Sequence, residues 1–242
     1  MKNLAPLFLL LFFFACKKDE VTHPDIITGL VANMPLNGSA FDSITGTTGL
    51  GHHITPASDR HNMPNQSVLF SRIDSSYIDF GDLPALSFPN NQFTISCWIN
   101  VVDTEKTLAI LSKRGVTGPW EYSLDNHFNT AVLNLDNWLP DGSTSVYGID
   151  PLQASAFFPV MAWEHIAYVA DGTTLKVYVN GVLQGGTDQH NAGLSLADTD
   201  APFVIGNGGG YGQNYYFNGC VDDLRVYNIA LSAETIQYLA EL

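Results

Sequence analysis

Residues 163–183 have the sequence WEHIAYVADGTTLKVYVNGVL, which gives the strongest indication of the fold class. Apolar, β-branched and aromatic residues alternate with polar ones on both sides of Asp171-Gly172. A period of two places alternate side chains on opposite faces of a strand. Asp-Gly and Asn-Gly tolerate the positive φ angles that tight hairpin turns require. We therefore predict two successive antiparallel hairpins, one turning at Asp171-Gly172 and one at Asn180-Gly181.

Similar short segments, separated by Gly, Pro, Asn and Asp, fill most of the chain after residue 26. In FTISCWIN, the period of two places Cys97 on the apolar face and Trp98 on the other. One helix is predicted near the C-terminus, with Ser232 as its N-cap and Glu234 in its first turn. So many strands without a linker indicate one all-β domain, an antiparallel sandwich. The predicted strands are residues 29–34, 67–70, 77–79, 93–101, 107–113, 120–124, 131–135, 165–170, 174–179, 203–205 and 220–227.

Seven motifs follow one another along the chain, at residues 30–46, 67–82, 86–100, 110–115, 163–183, 203–210 and 216–239. Their order and spacing resemble those of laminin G-like, concanavalin A-like lectin/glucanase domains found in many bacterial surface proteins. The resemblance covers nearly the whole chain after the N-terminal segment. It implies a jelly-roll sandwich of two antiparallel sheets, which agrees with the fold predicted from the alternation alone.

The chain carries 24 acidic and 10 basic residues, a formal net charge of −14. This balance argues against nucleic acid and anionic membrane surfaces as partners, because both require clustered positive charge. Charged residues make up only 14% of the chain and apolar residues 45%, so the chain is not a disordered acidic tail. The resemblance implies that its partner is a glycan or another extracellular protein.

The N-terminal segment predicts export. Lys2 precedes an apolar run at residues 4–14, which is shorter than the about 20 residues that span a bilayer and fits a secretory signal. Ala15-Cys16 resembles a bacterial lipobox, with ordinary secretion as the alternative. We expect a lipid-anchored protein of the outer membrane or cell surface that contacts the membrane only through its anchor. Its predicted parts are a signal peptide (1–15), a lipidated Cys16 with a tether (16–25) and the concanavalin A-like domain (26–242).

Two thiols remain if Cys16 is lipidated. Cys97 and Cys220 would then lie in an oxidising compartment that permits a disulfide. Two buried free thiols are the alternative, because a sequence does not give the Cα separation that bridging requires.

The resemblance also implies a structural calcium ion near the chain ends. The positions that match the family's ligands are Asp42, in an N-terminal loop, and Asp222, with Asp223 as the alternate. Calcium takes six to eight oxygen ligands, which loop carbonyls would have to complete. Ile44-Thr45 departs from the family's loop, and the alternative is that Asp42 caps a turn while Asp223 pairs with Arg225 or Arg72.

A glycan site needs aromatic rings that pack on the apolar faces of sugars, beside polar groups that bind hydroxyls. Three predicted loop regions combine these residue types. We expect ligand-binding residues there, with coverage of the core as the alternative role of each ring. The candidates are Trp120 in the first region, Trp138 and Tyr147 in the second, which resembles an insertion between strands, and Tyr211, Tyr215 and Tyr216 in the third.

No catalytic motif is recognised. Related glucanases place two Glu and an Asp on one strand as Glu-x-Asp-x-x-Glu, and this chain contains no such triplet. The glycine run at residues 206–210 lacks the Lys-Ser/Thr of a phosphate-binding loop and predicts a turn. His52, His53 and His61 match no standard zinc spacing and predict a solvated loop. We expect a non-catalytic, lectin-like lipoprotein; the alternatives are a structural or adhesive module that binds protein and, least favoured, a glycan-active hydrolase.

Overall fold

The computed structural model describes residues 23–103, 107–115, 120–127, 130–138, 144–148, 159–188, 198–208 and 215–242. No helix in these ranges is long and apolar enough to cross a membrane. In chain order the elements are β1 (Leu30–Met34), β2 (Leu50–His52), β3 (Thr55–Ala57), β4 (Ser67–Phe70), β5 (Tyr77–Asp79), a 3₁₀ helix (Pro84–Leu86), β6 (Gln92–Val101), β7 (Thr107–Arg114), β8 (Trp120–His127), β9 (Thr130–Trp138), β10 (Thr144–Gly148), β11 (Trp163–Asp171), β12 (Thr174–Val179), β13 (Val182–Asp188), β14 (Phe203–Ile205), β15 (Gly219–Tyr227) and α1 (Ala233–Glu241).

The strands form two antiparallel sheets. The strand order in sheet A is β13-β12-β11-β6-β15-β4-β3, and β1 also pairs with β15. The strand order in sheet B is β10-β9-β8-β7-β14-β5-β2. Strands that are distant in sequence, such as β6 and β15, are neighbours. The predicted sandwich of two antiparallel sheets with a short C-terminal helix is confirmed.

Both predicted hairpins are present. β11 pairs with β12, and β12 pairs with β13. The Asp171 carboxylate closes the first turn by accepting a hydrogen bond of 2.7 Å from the Thr174 backbone N–H. In the second turn Asn180 has φ 48° and Gly181 has φ 76°, the left-handed values that an Asn-Gly hairpin turn adopts.

The hydrophobic core lies between the inner faces of the two sheets. Phe88 and Phe93 stack with ring centroids 4.7 Å apart, and Tyr122 of sheet B lies 5.6 Å from Phe93. The Tyr122 hydroxyl donates a hydrogen bond of 2.9 Å to the Leu86 carbonyl, which satisfies its only polar atom inside the core. These rings bring large apolar surfaces out of water and hold the two sheets face to face.

The central strand β6 divides its side chains as the alternation predicts. Cys97 is fully buried in the core with its alternate neighbours, and Trp98 lies on the opposite, outer face of sheet A. There the Arg60 guanidinium is 4.7 Å from the Trp98 ring centroid, and the His165 ring approaches edge-on at 5.5 Å. At this point side chains therefore pack on the outer face of sheet A, which is not open to solvent.

Helix α1 covers another part of that outer face. The Ser232 hydroxyl accepts a hydrogen bond of 3.1 Å from the Thr235 N–H, which confirms the predicted N-cap. Ile236 and Leu239 are buried on the sheet beside Val169 and other residues of β11, β12 and β15. The helix therefore belongs to the scaffold.

The two cysteines are free thiols in this structure. Cys97 lies in the core, whereas Cys220 pairs in register with Asn100 while its neighbour Val221 enters the core. Because alternate residues of a strand point to opposite faces, the two sulfur atoms lie on opposite sides of sheet A. The structure therefore favours the free-thiol alternative over the predicted disulfide.

Three strands were not predicted from the sequence. β2 and β3 are only three residues long and contain Gly51 and Pro56, residue types that are depleted in strands. β10 lies in the stretch that resembled an insertion; β9 continues to Trp138 and pairs there with Thr144 of β10. The expected loop is therefore a hairpin at the edge of sheet B.

Candidate functional site

Sheet B holds the backbone of three of the aromatic residues predicted to bind ligand. Trp120 begins β8 and pairs with Arg114. Trp138 ends β9, and Tyr147 of β10 pairs with Leu135. Tyr211 lies outside the described residues. The predicted platforms on β8, β9 and β10 thus belong to neighbouring strands of one sheet.

Tyr216 lies near two aromatic rings that were not predicted to bind ligand. Its ring centroid lies 6.2 Å from that of Tyr77, and the Tyr77 ring stacks on His52 at 4.2 Å with an interplanar angle of 14°. We call His52, Tyr77 and Tyr216 the aromatic row. All three side chains are half-buried, so part of each ring is open to solvent.

The backbone fixes the aromatic row. His52 and Tyr77 are register partners on β2 and β5, so their side chains project from the same face of sheet B. Ile78 is buried in the core, which places Tyr77 on the outer face. Tyr216 reaches this face because its backbone forms bridges to Ala109 and Asn207. His52 was predicted to lie in a solvated loop; it is instead part of a strand and packs on an aromatic ring.

Polar groups accompany the aromatic row on the outer face. Asp79 is two residues from Tyr77 on β5, and its Oδ1 accepts a hydrogen bond of 2.7 Å from the Gly81 N–H. Asp125 on β8 accepts one of 3.1 Å from the Ser123 hydroxyl. Burial, followed by the charges of Tyr216 and Asp79, raises the pKa of Tyr77, so its phenol keeps its proton at neutral pH. The outer face of sheet B around the aromatic row thus combines rings, a phenol and the Asp79 carboxylate.

Tyr215 contributes to the site through its backbone. Its carbonyl accepts a hydrogen bond of 3.2 Å from the Ala109 N–H, which anchors the segment before Tyr216 to β7. Its side chain is half-buried. Of the three tyrosines predicted in this region, Tyr216 has a defined place in a ring cluster, and Tyr215 holds it there.

Asp42 serves as a turn cap. Its carboxylate accepts hydrogen bonds from the backbone N–H groups of Asn33 (2.8 Å) and Ile44 (3.0 Å) and from the Thr45 hydroxyl (2.6 Å). The side chain is fully buried. These three donors occupy most of the carboxylate lone pairs that a metal ion would use, so the loop fits the turn-capping alternative.

Asp222 and Asp223 are paired with arginine. Arg60 reaches both carboxylates at 3.0 Å, and Arg225 lies 3.4 Å from Asp223. In the described part of the chain no group of three or more His, Cys, Asp or Glu side chains is arranged to hold a metal ion. As placed, Asp42, Asp222 and Asp223 do not fit a joint calcium site, and the predicted Asp223–Arg225 pair is present.

The effect of calcium on stability can be measured directly. Because donors and cations already occupy these carboxylates, we expect the same thermal unfolding midpoint in EDTA and in millimolar CaCl₂. Calcium that bound only the folded protein would raise the midpoint by mass action. A rise in calcium that disappears in Asp42→Asn would restore the calcium hypothesis; Asp171→Asn, in the β11–β12 turn, is the matched control.

Comparison with known families agrees with this architecture. A family model described as the concanavalin A-like lectin/glucanases superfamily, of the laminin G-like type, matches residues 74–237. The chain belongs to this superfamily. The resemblance inferred from the motifs is therefore confirmed. Among curated protein sequences, no match to the chain is found.

Solved structures share this fold. Domain 4 of AbnA, a GH43 extracellular arabinanase from Geobacillus stearothermophilus solved in complex with arabinotriose, is 20% identical, with a TM-score of 0.65 over 87% of this chain and 98% of that domain. The binding domain of Paraclostridial Mosquitocidal Protein 1 is 15% identical, with a TM-score of 0.68 over 88% of this chain. The chain covers 52% of that solved binding-domain chain.

A third similar structure concerns botulinum neurotoxin type C, whose cell entry is dependent upon interaction with two ganglioside molecules. It is 13% identical, with a TM-score of 0.58 over 87% of this chain and 50% of the toxin chain. The chain thus spans about half the length of the two toxin-related structures. At these identities the likeness establishes the fold, and the function must be argued from the site.

Proposed function

We propose that this chain is a non-catalytic, lectin-like module that binds glycan on the outer face of sheet B. The observation that carries the proposal is the aromatic row, in which Tyr77, Tyr216 and His52 present partly open rings beside the Asp79 carboxylate. Rings of this kind pack on the apolar faces of sugars, while carboxylates and phenols exchange hydrogen bonds with hydroxyls. The trisaccharide bound to the similar arabinanase domain supports a carbohydrate ligand.

The absence of catalysis is part of the proposal. The Glu-x-Asp-x-x-Glu triplet of related glucanases does not occur in the sequence. Asp79 and Asp125, half-buried carboxylates of sheet B, lie on β5 and β8, with β14 and β7 between them. Neighbouring strands are about 4.8 Å apart, so these carboxylates are too distant for the about 5 Å separation of a retaining glycosidase. Release of reducing sugar by the purified protein would contradict this part of the proposal.

Removing the aromatic row should weaken glycan binding. After a glycan array identifies a ligand, we expect Tyr77→Ala and Tyr216→Ala each to lower its affinity by about two- to tenfold, because one ring contact is worth roughly 0.5–1.5 kcal/mol. Isothermal titration calorimetry measures the change. Tyr238→Ala on α1 is the matched control, since that ring stacks on His23 away from sheet B.

The outcomes separate the alternatives. Affinity that is unchanged in both variants would remove the aromatic row as the binding platform. Absence of binding to every glycan would contradict the lectin proposal and favour a protein-binding module. Circular dichroism of both variants confirms that the fold is retained.

We also propose that the domain is exported and held at the outer membrane or cell surface by lipid on Cys16. The apolar run at residues 4–14 and the Ala15-Cys16 pair support this proposal. An anchor of this kind would present the sandwich to extracellular glycans without any membrane-spanning segment. Metabolic labelling with a fatty acid tests it, and incorporation that persists in Cys16→Ser would contradict it.

A further inference from the structure

Three side chains form a row across the outer face of sheet A, on the other sheet from the aromatic row. Trp98 of β6 pairs in register with Asp222 of β15 and with His165 of β11, which are its two neighbouring strands. All three side chains lie on the outer face, because Cys97, next to Trp98, is in the core. We call Asp222, Trp98 and His165 the sheet A row.

Several buried polar atoms in and beside this row have no hydrogen-bond partner in the described structure. They are Nε1 of Trp98, both ring nitrogens of His165 and the hydroxyl of Ser96, which is two residues before Trp98 on the same face. His165 and Ser96 are fully buried. Unpaired buried polar atoms are unfavourable, and proteins pair nearly all of them. Their concentration on one patch points to a ligand that pairs with them.

The Arg60 side chain covers the sheet A row. Its guanidinium lies over the Trp98 ring, 4.7 Å from the centroid, and is 3.0 Å from each of the Asp222 and Asp223 carboxylates. A β-bulge after Asp222, where Asp223 has φ 48°, lets two consecutive carboxylates reach this one group. The Arg60 side chain is only 12% exposed, so it separates the row from solvent.

Arg60 can leave the row without unfolding its loop. The loop between β3 and β4 is closed by Asp59, whose Oδ1 accepts hydrogen bonds from the N–H groups of His61 (2.9 Å) and Met63 (2.7 Å). The Asp59 N–H donates to the Met63 carbonyl at 3.1 Å. These bonds do not use the Arg60 side chain. The cover is therefore one long side chain on a loop that supports itself.

The neighbouring register row gives a ligand access. Trp163, Asn100 and Cys220 pair across the same three strands, one row further along β6 on the same face. All three are half-buried, so solvent reaches part of each. A ligand that approaches over this row meets the Trp98 ring as soon as Arg60 moves aside.

We propose that the sheet A row is a second ligand site, covered by Arg60, and that its ligand is a neutral sugar. The unpaired Trp98 Nε1–H needs an acceptor, which excludes guanidinium and ammonium groups as ligands, because neither accepts hydrogen bonds. The Asp222 and Asp223 carboxylates repel an anion. A neutral sugar offers an apolar face to the indole ring, and its hydroxyls both donate to carboxylates and accept from Nε1–H.

The test measures the sheet A row in a protein whose aromatic row is disabled. Tyr77→Ala/Tyr216→Ala, with and without Arg60→Ala, is screened on an array of neutral oligosaccharides that includes arabinotriose, and hits are titrated by calorimetry. We expect Arg60→Ala to raise the affinity at least about tenfold, because the sugar no longer displaces a guanidinium from a ring and two carboxylates. Arg72→Ala, which removes another partly buried arginine paired with Asp103, is the matched control and should leave the affinity unchanged.

A further substitution assigns the binding to Trp98. Trp98→Phe keeps an aromatic face and removes the Nε1–H, so we expect it to lower the affinity of the Arg60→Ala protein by about two- to tenfold. The indole N–H resonance that disappears from the NMR spectrum of this variant belongs to Trp98. In the Arg60→Ala protein that resonance should shift when the sugar binds. Thermal unfolding of each variant verifies the fold.

The results separate this inference from the proposed function. If the Arg60→Ala protein with the disabled aromatic row binds no neutral sugar, the second site is overturned and the unpaired atoms belong with buried water. Binding by the native protein that depends on Tyr77 would then leave the lectin proposal standing. Sugar binding that leaves the Trp98 resonance unchanged would also overturn the second site. Binding that shifts this resonance but is unaffected by Tyr77→Ala would remove the aromatic row and support the sheet A row.

Discussion

Replacing Lys113 with Met is expected to lower the free energy of unfolding by about 3–5 kcal/mol, because it leaves the buried Glu121 carboxylate without its cation. The Lys113 ammonium lies 2.9 Å from Asp82 Oδ1, 3.0 Å from Glu121 Oε1 and 2.9 Å from the Ala201 carbonyl. The Lys113 and Glu121 side chains are both fully buried, and burial raises the pKa of Glu121. Urea unfolding monitored by tryptophan fluorescence measures the loss.

The double variant Lys113→Met/Glu121→Gln distinguishes loss of the ion pair from loss of packing. We expect it to recover part of the lost stability, since the neutral amide removes the buried charge and can still accept from the Thr199 hydroxyl. Lys176→Met is the matched control: its pair with Asp171 also measures 3.0 Å but is about one-third exposed, so we expect a loss of at most about 1 kcal/mol. Equal losses in Lys113→Met and Lys176→Met would contradict the prediction.

This buried pair also matters for the binding face. Asp82 follows β5, which carries Tyr77, and Ala201 precedes β14, while Lys113 itself lies on β7. The ammonium group of β7 therefore contacts the segments that follow β5 and precede β14, its neighbours in sheet B. A ring pair such as Tyr77 and Tyr216 keeps its spacing only if the strands beneath it keep their register, so the ion pair supports the geometry of the candidate site.

Local signals made much of the fold predictable. The turns at Asp171-Gly172 and Asn180-Gly181, the alternation in β6 and the Ser232 cap depend on residues that are close in sequence, and the structure has all of them. The three-residue strands β2 and β3 carried no such signal: β2 pairs with β5, two strands further than the next one, and β3 pairs with β4 across a connection that has no short turn motif. Propensity alone does not identify an edge strand that contains a Gly or a Pro.

The candidate site was less predictable for the same reason. The sequence indicated Tyr216, but its neighbours Tyr77 and His52 come from strands at the other end of the chain. Alternation in residues 76–79 could have placed Tyr77 and Asp79 on the outer face. No short-range pattern in the sequence, however, predicts that Tyr216 lies next to them. The role of Lys113 was equally hidden, because a lysine in a strand is ordinarily solvated and its burial depends on Asp82 and Glu121.

Acid is expected to destabilise the protein through His165. The side chain is fully buried, and in the described structure neither ring nitrogen has a hydrogen-bond partner. Burial, with the charges of Arg225 and Arg60, lowers the pKa of His165 to about 3. The unfolded chain binds the proton at about pH 6.5. Protonation therefore favours the unfolded state, and the stability from the neutral ring is lost as pH falls from about 6.5 toward 3.

The size of this destabilisation follows from the difference between the pKa values of His165 in the folded and unfolded states. In that window the unfolding equilibrium constant rises by up to about tenfold per pH unit, or roughly twentyfold between pH 7 and pH 5 for this one group. Asp222 works in the opposite direction, because burial, with the charge of Asp223, raises its pKa to about 7. As pH falls through 7, the folded state takes up that proton more readily than the unfolded chain does and gains stability. The net change in the native protein therefore understates the contribution of His165.

A nontitrating variant isolates the histidine. His165→Gln removes the ionisable ring while keeping a polar side chain at the same position, so its unfolding free energy should fall less between pH 7 and pH 5 than that of the native protein. Urea unfolding at four pH values in this range measures both slopes. His53→Gln, which replaces an exposed histidine in the turn between β2 and β3, is the matched control. Parallel slopes for the native protein and His165→Gln would mean that the buried ring takes up its proton at the same pH in the folded and unfolded states.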